Sequence, residues 1–458
     1  MKVVLALALV VVSFLAVSIN AQSDAALRSV IEKDRASVAR NGRMPLLPAS
    51  EHLARGATYF ENRQFPEARV HFYKILENHK QDPAMSAALF MTGRSYYWER
   101  QYAKGIPYLE RAAKEFPGTK DGREGLYFQG SCNVRIERNE EAARVYEQYT
   151  VMYPTGERTD GAYLNIIDAL REARKYDDAD AWVEKVRQKF AGTTTETNAL
   201  HARLRINIFR GHWNEAVATA DTMLSGSRFS GSMASIDEVK YLRAFALERS
   251  GKRGDAAVAY SAIPDTRTSY FGGLAADERD SGGSRVRKIA QISPRDFPVM
   301  FRDDVLRESK KRGIDPRFVL AIMKQESSFR PAVKSPSAAR GLLQLVYDTA
   351  LKYNKKAGFS SIDADDLYKP SINIAIGCEY IADLKGQFGG LYEAIAASYN
   401  GGEDNAARWL KRSNPKEPAI FASEVGFSET KHYVFKVMSN FRIYKELYDE
   451  DLGRKSSE

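Results

Sequence analysis

The sequence is poor in cysteine and histidine, and this bounds the chemistry it can support. Its 458 residues include two cysteines and six histidines. Cys132 and Cys378 lie far apart in segments that read as helix interior, so we expect two buried free thiols; an exported chain would permit a disulfide, but the spacing alone does not support one. The histidines form no ligand pattern such as H-E-x-x-H. The sequence therefore predicts no metal and no cofactor.

Long apolar runs are also missing, apart from one at the N-terminus. Met1-Lys2 is followed by an almost uninterrupted apolar stretch through Val17, with small residues near Ala21. This pattern is typical of a secretory signal peptide, predicted at 1–21. The alternative is an uncleaved anchor, because the run is near the lower limit for spanning a bilayer. We expect a periplasmic or otherwise exported protein of the bacterial cell envelope, with no stable membrane span after cleavage.

The charge is moderately basic, with 68 Lys and Arg against 59 Asp and Glu, a formal net charge of +9. No basic stretch is interleaved with aromatic residues, so we expect no nucleic-acid partner. For an exported chain the expected polyanions are cell-wall polymers, anionic lipid surfaces or acidic peptides. A solvated basic surface without a partner remains the alternative.

A short motif recurs between residues 50 and 265. In each copy a small residue stands at an equivalent position, at intervals of 37 residues four times and then 40: Ala68, Gly105, Ala142, Ala179, Ala216 and Ala256. An aromatic residue precedes it by three positions in four copies. Small residues are needed where two antiparallel helices approach closely, so each copy predicts a helix pair. The pattern resembles tetratricopeptide repeats, and implies a scaffold with a surface for protein partners.

One helix after the repeats places a glutamate on an apolar face. Asp315-Pro316 is a strong start signal, a capping residue followed by proline in the first turn. Helical spacing then puts four residues on one face: Val319, Ile322, Met323 and Glu326. Burial and the negative end of the helix dipole both raise the pKa of a carboxyl group, which favours a general acid near neutral pH. The alternative is a glutamate that reaches into water.

Three further polar segments follow Glu326 in a fixed order. They are Ser335-Pro336-Ser337 with Arg340-Gly341-Leu342-Leu343-Gln344-Leu345, then Ser398-Tyr399-Asn400-Gly401-Gly402, then Glu429-Thr430-Lys431-His432-Tyr433-Val434. Together with Glu326-Ser327 they resemble the catalytic domain of soluble lytic transglycosylases, which has a goose-lysozyme-like α fold and cleaves bacterial peptidoglycan. The resemblance covers roughly residues 297–448.

The resemblance implies a role for each matching residue. Glu326 matches the single catalytic acid and base. The implied substrate-binding residues, which orient the sugar, border the carboxylate or close the cleft, are Ser335, Gln344, Tyr399, Asn400, Glu429 and Tyr433. The chain departs from the family pattern at Leu343, Ser398 and Lys431, where methionine, alanine and arginine are usual. These departures affect subsite details and leave the polar set in place.

The expected fold is all-α throughout, with a tetratricopeptide-like α-superhelix followed by a lysozyme-like α-helical catalytic domain. The predicted segments are a signal peptide at 1–21, a lead-in at 22–49, repeats at 50–265, a linker at 266–295 containing Ser281-Gly282-Gly283-Ser284, a catalytic domain at 296–450 and a tail at 451–458.

The resemblance implies cleavage of the β-1,4 bond between N-acetylmuramic acid and N-acetylglucosamine, leaving a 1,6-anhydro end. Peptidoglycan glycan strands are the implied substrate, and only one carboxylate with a suitable local setting is found. Two alternatives stay open from the sequence. One is a goose-type lysozyme that hydrolyses the same bond, and the other is a non-catalytic adaptor that grips glycan and recruits partners through its repeats.

Overall fold

The computed structural model describes residues 25–38, 44–266, 269–280 and 293–455. Within these ranges the chain is helical, with three isolated β-bridges and no β-strand, which confirms the predicted all-α class. No helix in these ranges is both long and apolar enough to cross a bilayer. The predicted signal peptide at 1–21 lies outside the described residues, as does part of the predicted linker, residues 267–268 and 281–292, which includes Ser281-Gly282-Gly283-Ser284.

The described residues fall into two compact units. The first unit joins residues up to Gly156 with Arg330–Lys369, and the second joins Glu157–Phe329 with the residues from Pro370 onward. Helices of the first unit are α1 (25–38), α2 (Ala49–Glu61), α3 (Phe65–Asn78), α4 (Ala84–Trp98), α5 (Tyr102–Glu115), α6 (Lys120–Arg135), α7 (Asn139–Met152), α17 (Tyr347–Tyr353) and the 3-10 helix η1 (Ala364–Tyr368).

Helices of the second unit are α8 (Thr159–Glu172), α9 (Tyr176–Lys189), α10 (Thr194–Arg210), α11 (Trp213–Gly226), α12 (Ile236–Arg249), α13 (Arg253–Ser261), α14 (Tyr270–Asp280), α15 (Arg302–Lys311), α16 (Pro316–Ser327), α18 (Pro370–Gln387), α19 (Tyr392–Gly401), α20 (Glu403–Arg412), α21 (Pro418–Glu424) and α22 (Ser428–Leu447).

The recurring small residues lie where paired helices touch. Ala68, the first of them, has no accessible surface on α3. A Cβ atom added to Gly105 of α5, the second of them, would lie 2.8 Å from Gly93 O of α4. Glycines outside this set leave similar room on the facing helices: a Cβ atom placed on Gly56 of α2 would lie 2.5 Å from Phe72 Cε1, and one on Gly93 would lie 2.5 Å from Leu109 Cγ. Both distances are too short for carbon atoms, so these helices approach as closely as they do because the side chains are absent. The helix pairs predicted from the motif are thereby confirmed.

The turn inside each pair has one residue in the left-handed conformation, five positions before the small residue. The set is Arg63, Arg100, Glu137 and Arg174 with φ of 60–61°, followed by Gly211 at 73° and Gly251 at 85°. Only the last two copies use glycine, which adopts this conformation at little cost. The period of the motif is therefore also a period of backbone conformation.

The segment Arg330–Lys369 packs with the first repeats. Arg63, in the left-handed turn between α2 and α3, donates two hydrogen bonds of 2.9 Å to the carboxylate of Asp348 on α17. Its neighbour Asn62 accepts a 3.2 Å bond from the buried ammonium of Lys334. The predicted catalytic domain at 296–450 is therefore shared between the two compact units, and its boundaries remain a prediction.

Part of the predicted linker at 266–295 is helical. Helix α14 forms there because it has apolar and polar partners: the ring of Tyr270 stacks on Phe435 with centroids 5.3 Å apart, and its hydroxyl donates a 3.0 Å bond to Glu393. No local pattern announced these distant partners. The two cysteines, Cys132 and Cys378, are buried free thiols as predicted.

Candidate active site

Helix α16 carries Glu326 to its C-terminal end. The side chain of Asp315 accepts a 2.9 Å bond from the Arg317 backbone N–H and caps the first turn, with Pro316 as the first residue. The helix ends at Ser327, and Ser328 follows in the left-handed conformation at φ 49°. Glu326 is half-buried, while residues earlier on the same face are fully buried. The predicted start, end and face of this helix are all observed.

The Glu326 carboxyl group accepts a hydrogen bond from Tyr433 of α22. The Tyr433 hydroxyl donates to Glu326 Oε1 over 2.7 Å, and only 6% of this tyrosine is exposed. Burial raises the pKa of Glu326 from an ordinary 4.5 to about 7, the Tyr433 hydrogen bond opposes this rise, and the charge of Glu429 adds to it. A carboxyl group with this pKa exchanges its proton readily near neutral pH.

Tyr399 belongs to the same group of residues. It lies on α19, and its ring packs on Tyr380 of α18 with centroids 5.1 Å apart. Burial, the Glu326 carboxylate and Tyr380 raise the pKa of Tyr399 well above its usual value. Tyr399 therefore stays a neutral phenol beside Glu326.

Asn400 and Glu429 lie on the accessible side of this group. Asn400 is exposed at the end of α19, and its side-chain oxygen accepts a 2.6 Å bond from the Thr430 hydroxyl. Glu429 is exposed in the first turn of α22. The Thr430–Asn400 hydrogen bond thus connects α22 to α19, the two helices that carry Tyr433 and Tyr399. Four predicted residues, Tyr399, Asn400, Glu429 and Tyr433, are accordingly found in one unit with Glu326.

Ser335 and Gln344 belong to the other compact unit, in a turn-rich loop. Ser335 closes a tight turn, because its hydroxyl accepts a 3.1 Å bond from Ala339 N–H and its own N–H donates to Ala339 O. Gln344, at φ 45°, donates its amide nitrogen to the carbonyl groups of Val333 and Gly341 over 3.1 and 2.7 Å. The Gln344 amide nitrogen thus stabilises its own loop. The substrate-binding roles of Ser335 and Gln344 remain predictions.

Thr430 and Tyr380 were not foreseen as members of the site. Thr430 follows Glu429 within the Glu429-to-Val434 segment, so the sequence offered its position as a reason to place it near the site. Tyr380 lies within an α18 segment whose sequence is typical of helix core.

Among the described residues no group of histidine, cysteine and carboxylate side chains is arranged to hold a metal ion. A cavity of about 290 Å³ in the second unit contains none of the predicted site residues; its lining includes Trp213, Arg249 and Asn414.

Family models match both regions of the chain. The model described as transglycosylase SLT domain matches residues 305–421, which include Glu326, Tyr399 and Asn400. The tetratricopeptide repeat model matches residues 53–120 and 90–157. The chain thus carries an SLT transglycosylase domain together with tetratricopeptide repeats, which confirms the predicted resemblance.

Curated relatives match about a third of this chain. A soluble lytic murein transglycosylase of Salmonella typhimurium is 33% identical over 165 residues, covering 35% of this chain and 25% of the relative. The Escherichia coli soluble lytic murein transglycosylase is 34% identical over 153 residues, covering 32% and 23%. A membrane-bound lytic murein transglycosylase C of Edwardsiella ictaluri is 35% identical over 170 residues, covering 32% and 47%. The match therefore spans about a quarter of the length of the two soluble relatives.

Solved structures extend the likeness over nearly the whole chain at the level of fold. An inactive mutant of the lytic transglycosylase Slt from Pseudomonas aeruginosa aligns with a TM-score of 0.51 and 16% identity, covering 91% of this chain and 96% of that one. A 70-kDa soluble lytic transglycosylase in complex with bulgecin A aligns with a TM-score of 0.50 and 16% identity, covering 95% and 87%. These alignments fit the predicted helical repeats and lysozyme-like domain.

Proposed function

We propose that the protein is a peptidoglycan lytic transglycosylase that cleaves the β-1,4 bond between N-acetylmuramic acid and N-acetylglucosamine. The observation that carries the proposal is the state of Glu326: half-buried, hydrogen-bonded at 2.7 Å to Tyr433, and with a pKa of about 7. This carboxyl group is divided between acid and base forms at neutral pH, as a residue that must both give and take a proton requires. The SLT domain match over 305–421 and the named relatives support the same reaction class.

In this proposal Glu326 acts twice. As the acid, it donates its proton to the glycosidic oxygen, and the N-acetylglucosamine side leaves as an alcohol. The positive charge developing at C1 of the muramic acid is stabilised by the substrate's own N-acetyl oxygen, which stands in for a second carboxylate. As the base, Glu326 then takes the proton of the C6 hydroxyl, whose oxygen bonds to C1. The attack is intramolecular, and proximity replaces a positioned water.

The other predicted residues assist these two steps. Tyr433 holds one oxygen of Glu326, and Tyr399 keeps a neutral hydroxyl beside it. Asn400, fixed by Thr430, is exposed for contact with the acetamido group. Ser335 and Gln344 are proposed to orient the sugars, and Glu429 to border the cleft. The reaction as proposed needs no metal or cofactor.

The test is the chemical nature of the new glycan end. Purified protein is incubated with sacculi, and the released muropeptides are measured by mass spectrometry for wild type and Glu326→Gln. We expect 1,6-anhydro ends from wild type and a loss of at least about 1000-fold in Glu326→Gln, since neither proton transfer remains. Glu417→Gln serves as the matched control, because Glu417 pairs with Arg249 at the surface of the same unit.

Each alternative has its own outcome in this experiment. Reducing ends, heavier by one water, would identify a hydrolase instead. Glycan binding without any release by wild type would identify the adaptor.

We further propose that the protein acts in the cell envelope outside the cytoplasm. The predicted signal peptide at 1–21 and the murein-directed names of the relatives support this placement. The repeats are proposed to offer a surface for protein partners. Cell fractionation tests the location: recovery of the chain in the cytoplasm at full length would contradict export.

A further inference from the structure

A buried ion pair joins a repeat helix to the helix that carries Tyr433. Lys431 of α22 donates a 2.7 Å bond to Glu238 of α12, and the side chains are 1% and 0% exposed. Nε2 of the buried His201, on α10, lies 2.9 Å from the same Glu238 oxygen. All three residues belong to the second unit. Lys431 is one of the positions where the sequence departs from the family pattern.

In this cluster the buried charges of Glu238 and Lys431 each depend on the other. Burial alone would raise the pKa of Glu238, but Lys431 and His201 outweigh it and hold that pKa at about 2. Burial and the nearby Lys431 lower the pKa of His201 to about 4, so His201 is neutral near pH 7. Burial also lowers the pKa of Lys431, against the attraction of Glu238, and Arg205 lowers it further. Without Glu238 the Lys431 ammonium would be a buried charge with an arginine nearby, which is strongly unfavourable.

The pair therefore fixes the first turn of α22, and α22 contacts Glu326 through Tyr433, shortly after that turn. Thr430, adjacent to Lys431, bonds to Asn400, and Tyr433 lies two residues further along. The titratable groups that shift the pKa of Glu326 are Tyr433 and Glu429, and both stand on α22, the helix that Glu238 holds. Tyr399 of α19 responds to the Glu326 carboxylate, which raises the pKa of Tyr399.

We propose that Glu238 is a positioning residue, which through Lys431 and the first turn of α22 holds the Tyr433 hydroxyl against Glu326. The inference rests on the proposed function and adds to it a residue from the repeats, about 90 positions before the catalytic glutamate. It assigns the repeats a part in setting the pH range of the reaction. Glu238 itself is fully buried and touches no substrate.

Glu238→Gln tests the proposal with little change in shape. Glutamine keeps the length of the side chain, and it also keeps the capping box in which Glu238 and Ser235 exchange hydrogen bonds at the start of α12. We expect the alkaline limb of the kcat/KM profile for muropeptide release to move up by about 1 pH unit, because a weakened Tyr433 hydrogen bond no longer favours the ionised form of Glu326. In a Tyr433→Phe background the same substitution should produce no further shift.

The control is a second buried pair in the same unit. Glu308→Gln weakens a 2.6 Å bond from Arg312 at the end of α15, where the Arg312 and Glu308 side chains are 5% and 10% exposed, and should lower the melting temperature without moving the limb. Lys431→Arg keeps the pair and should keep the wild-type limb. Folded Glu238→Gln with an unmoved limb overturns the proposal, as does a full additional shift in the Tyr433→Phe background.

Two provisions keep the test decisive. If Glu238→Gln does not fold, Glu238→Asp withdraws the carboxylate by one methylene and should move the limb upward by a smaller amount; an unmoved limb there overturns the proposal equally. Wild-type protein is measured first. Failure of wild type to form anhydro ends would refute the proposed function, whereas an active wild type with an unmoved variant limb refutes the positioning role alone.

Discussion

Replacing Tyr433 with phenylalanine removes one hydroxyl group and keeps the buried ring. That hydroxyl donates a 2.7 Å bond to Glu326 and favours the ionised carboxylate. A hydrogen bond to a charged group is worth roughly 1.5–3 kcal/mol, and one pKa unit corresponds to about 1.4 kcal/mol. The pKa of Glu326, about 7 in the intact site, should therefore rise by about 1–2 units in Tyr433→Phe.

The sign of the effect on activity follows from the first step of the proposed reaction. The acid form of Glu326 starts catalysis, so activity falls as pH rises through its pKa. Between pH 6 and pH 8 wild type should lose roughly nine-tenths of this form, whereas the variant should lose less than about half of it. Absolute rates should be lower in the variant, because the carboxyl group is less well held.

The assay is kcat/KM for release of anhydro-muropeptides, measured from pH 5 to pH 9. Tyr444→Phe is the matched control, because Tyr444 lies on the same helix and its hydroxyl donates to the carbonyl of Pro298 instead. Its limb should coincide with that of wild type. A Tyr433→Phe limb that stays in place or moves to lower pH would show that this hydroxyl does not govern the protonation of Glu326.

Two further predictions concern stability. Gly93→Ala should destabilise the protein by roughly 1–3 kcal/mol in chemical denaturation, because the new Cβ would lie 2.5 Å from Leu109 Cγ; Gly118→Ala, with nothing within 4 Å, is the control, and equal effects would contradict the close-approach explanation. Ser398→Ala should stabilise by about 1 kcal/mol, because the Ser398 hydroxyl is fully buried and has no hydrogen-bond partner among the described residues; a lower denaturation midpoint in that variant would indicate a partner for the hydroxyl.

Local signals predicted the framework around Glu326 well. The Asp315-Pro316 cap and the apolar face of α16 depend on residues within one or two helical turns, and the structure has them where the pattern places them. The recurring small residues pair helices that follow one another in the sequence. The grouping of Glu326, Tyr399 and Tyr433 came from the family resemblance, since they are separated by long stretches of chain.

The features that escaped prediction depend on distant partners. No local pattern around Lys431 predicts its ion pair with Glu238, and none around Arg63 predicts its hydrogen bonds to Asp348. Helix α14 was read as linker because Tyr270 gains its stacking and hydrogen-bond partners only in the fold. Left-handed turns at Arg63 and Glu137 were equally hidden, because neither residue type favours that conformation.

The return of Arg330–Lys369 to the first repeats bears on the order in which the chain can fold during synthesis. Asp348 and Lys334, which bind Arg63 and Asn62, leave the ribosome long after α2 and α3. The earliest repeats must therefore wait, incompletely supported, while most of the polypeptide is still being made. A fragment cut at the end of the helical array would carry an arginine and an asparagine without their native partners. Folding of the first unit thus needs residues from both halves of the sequence.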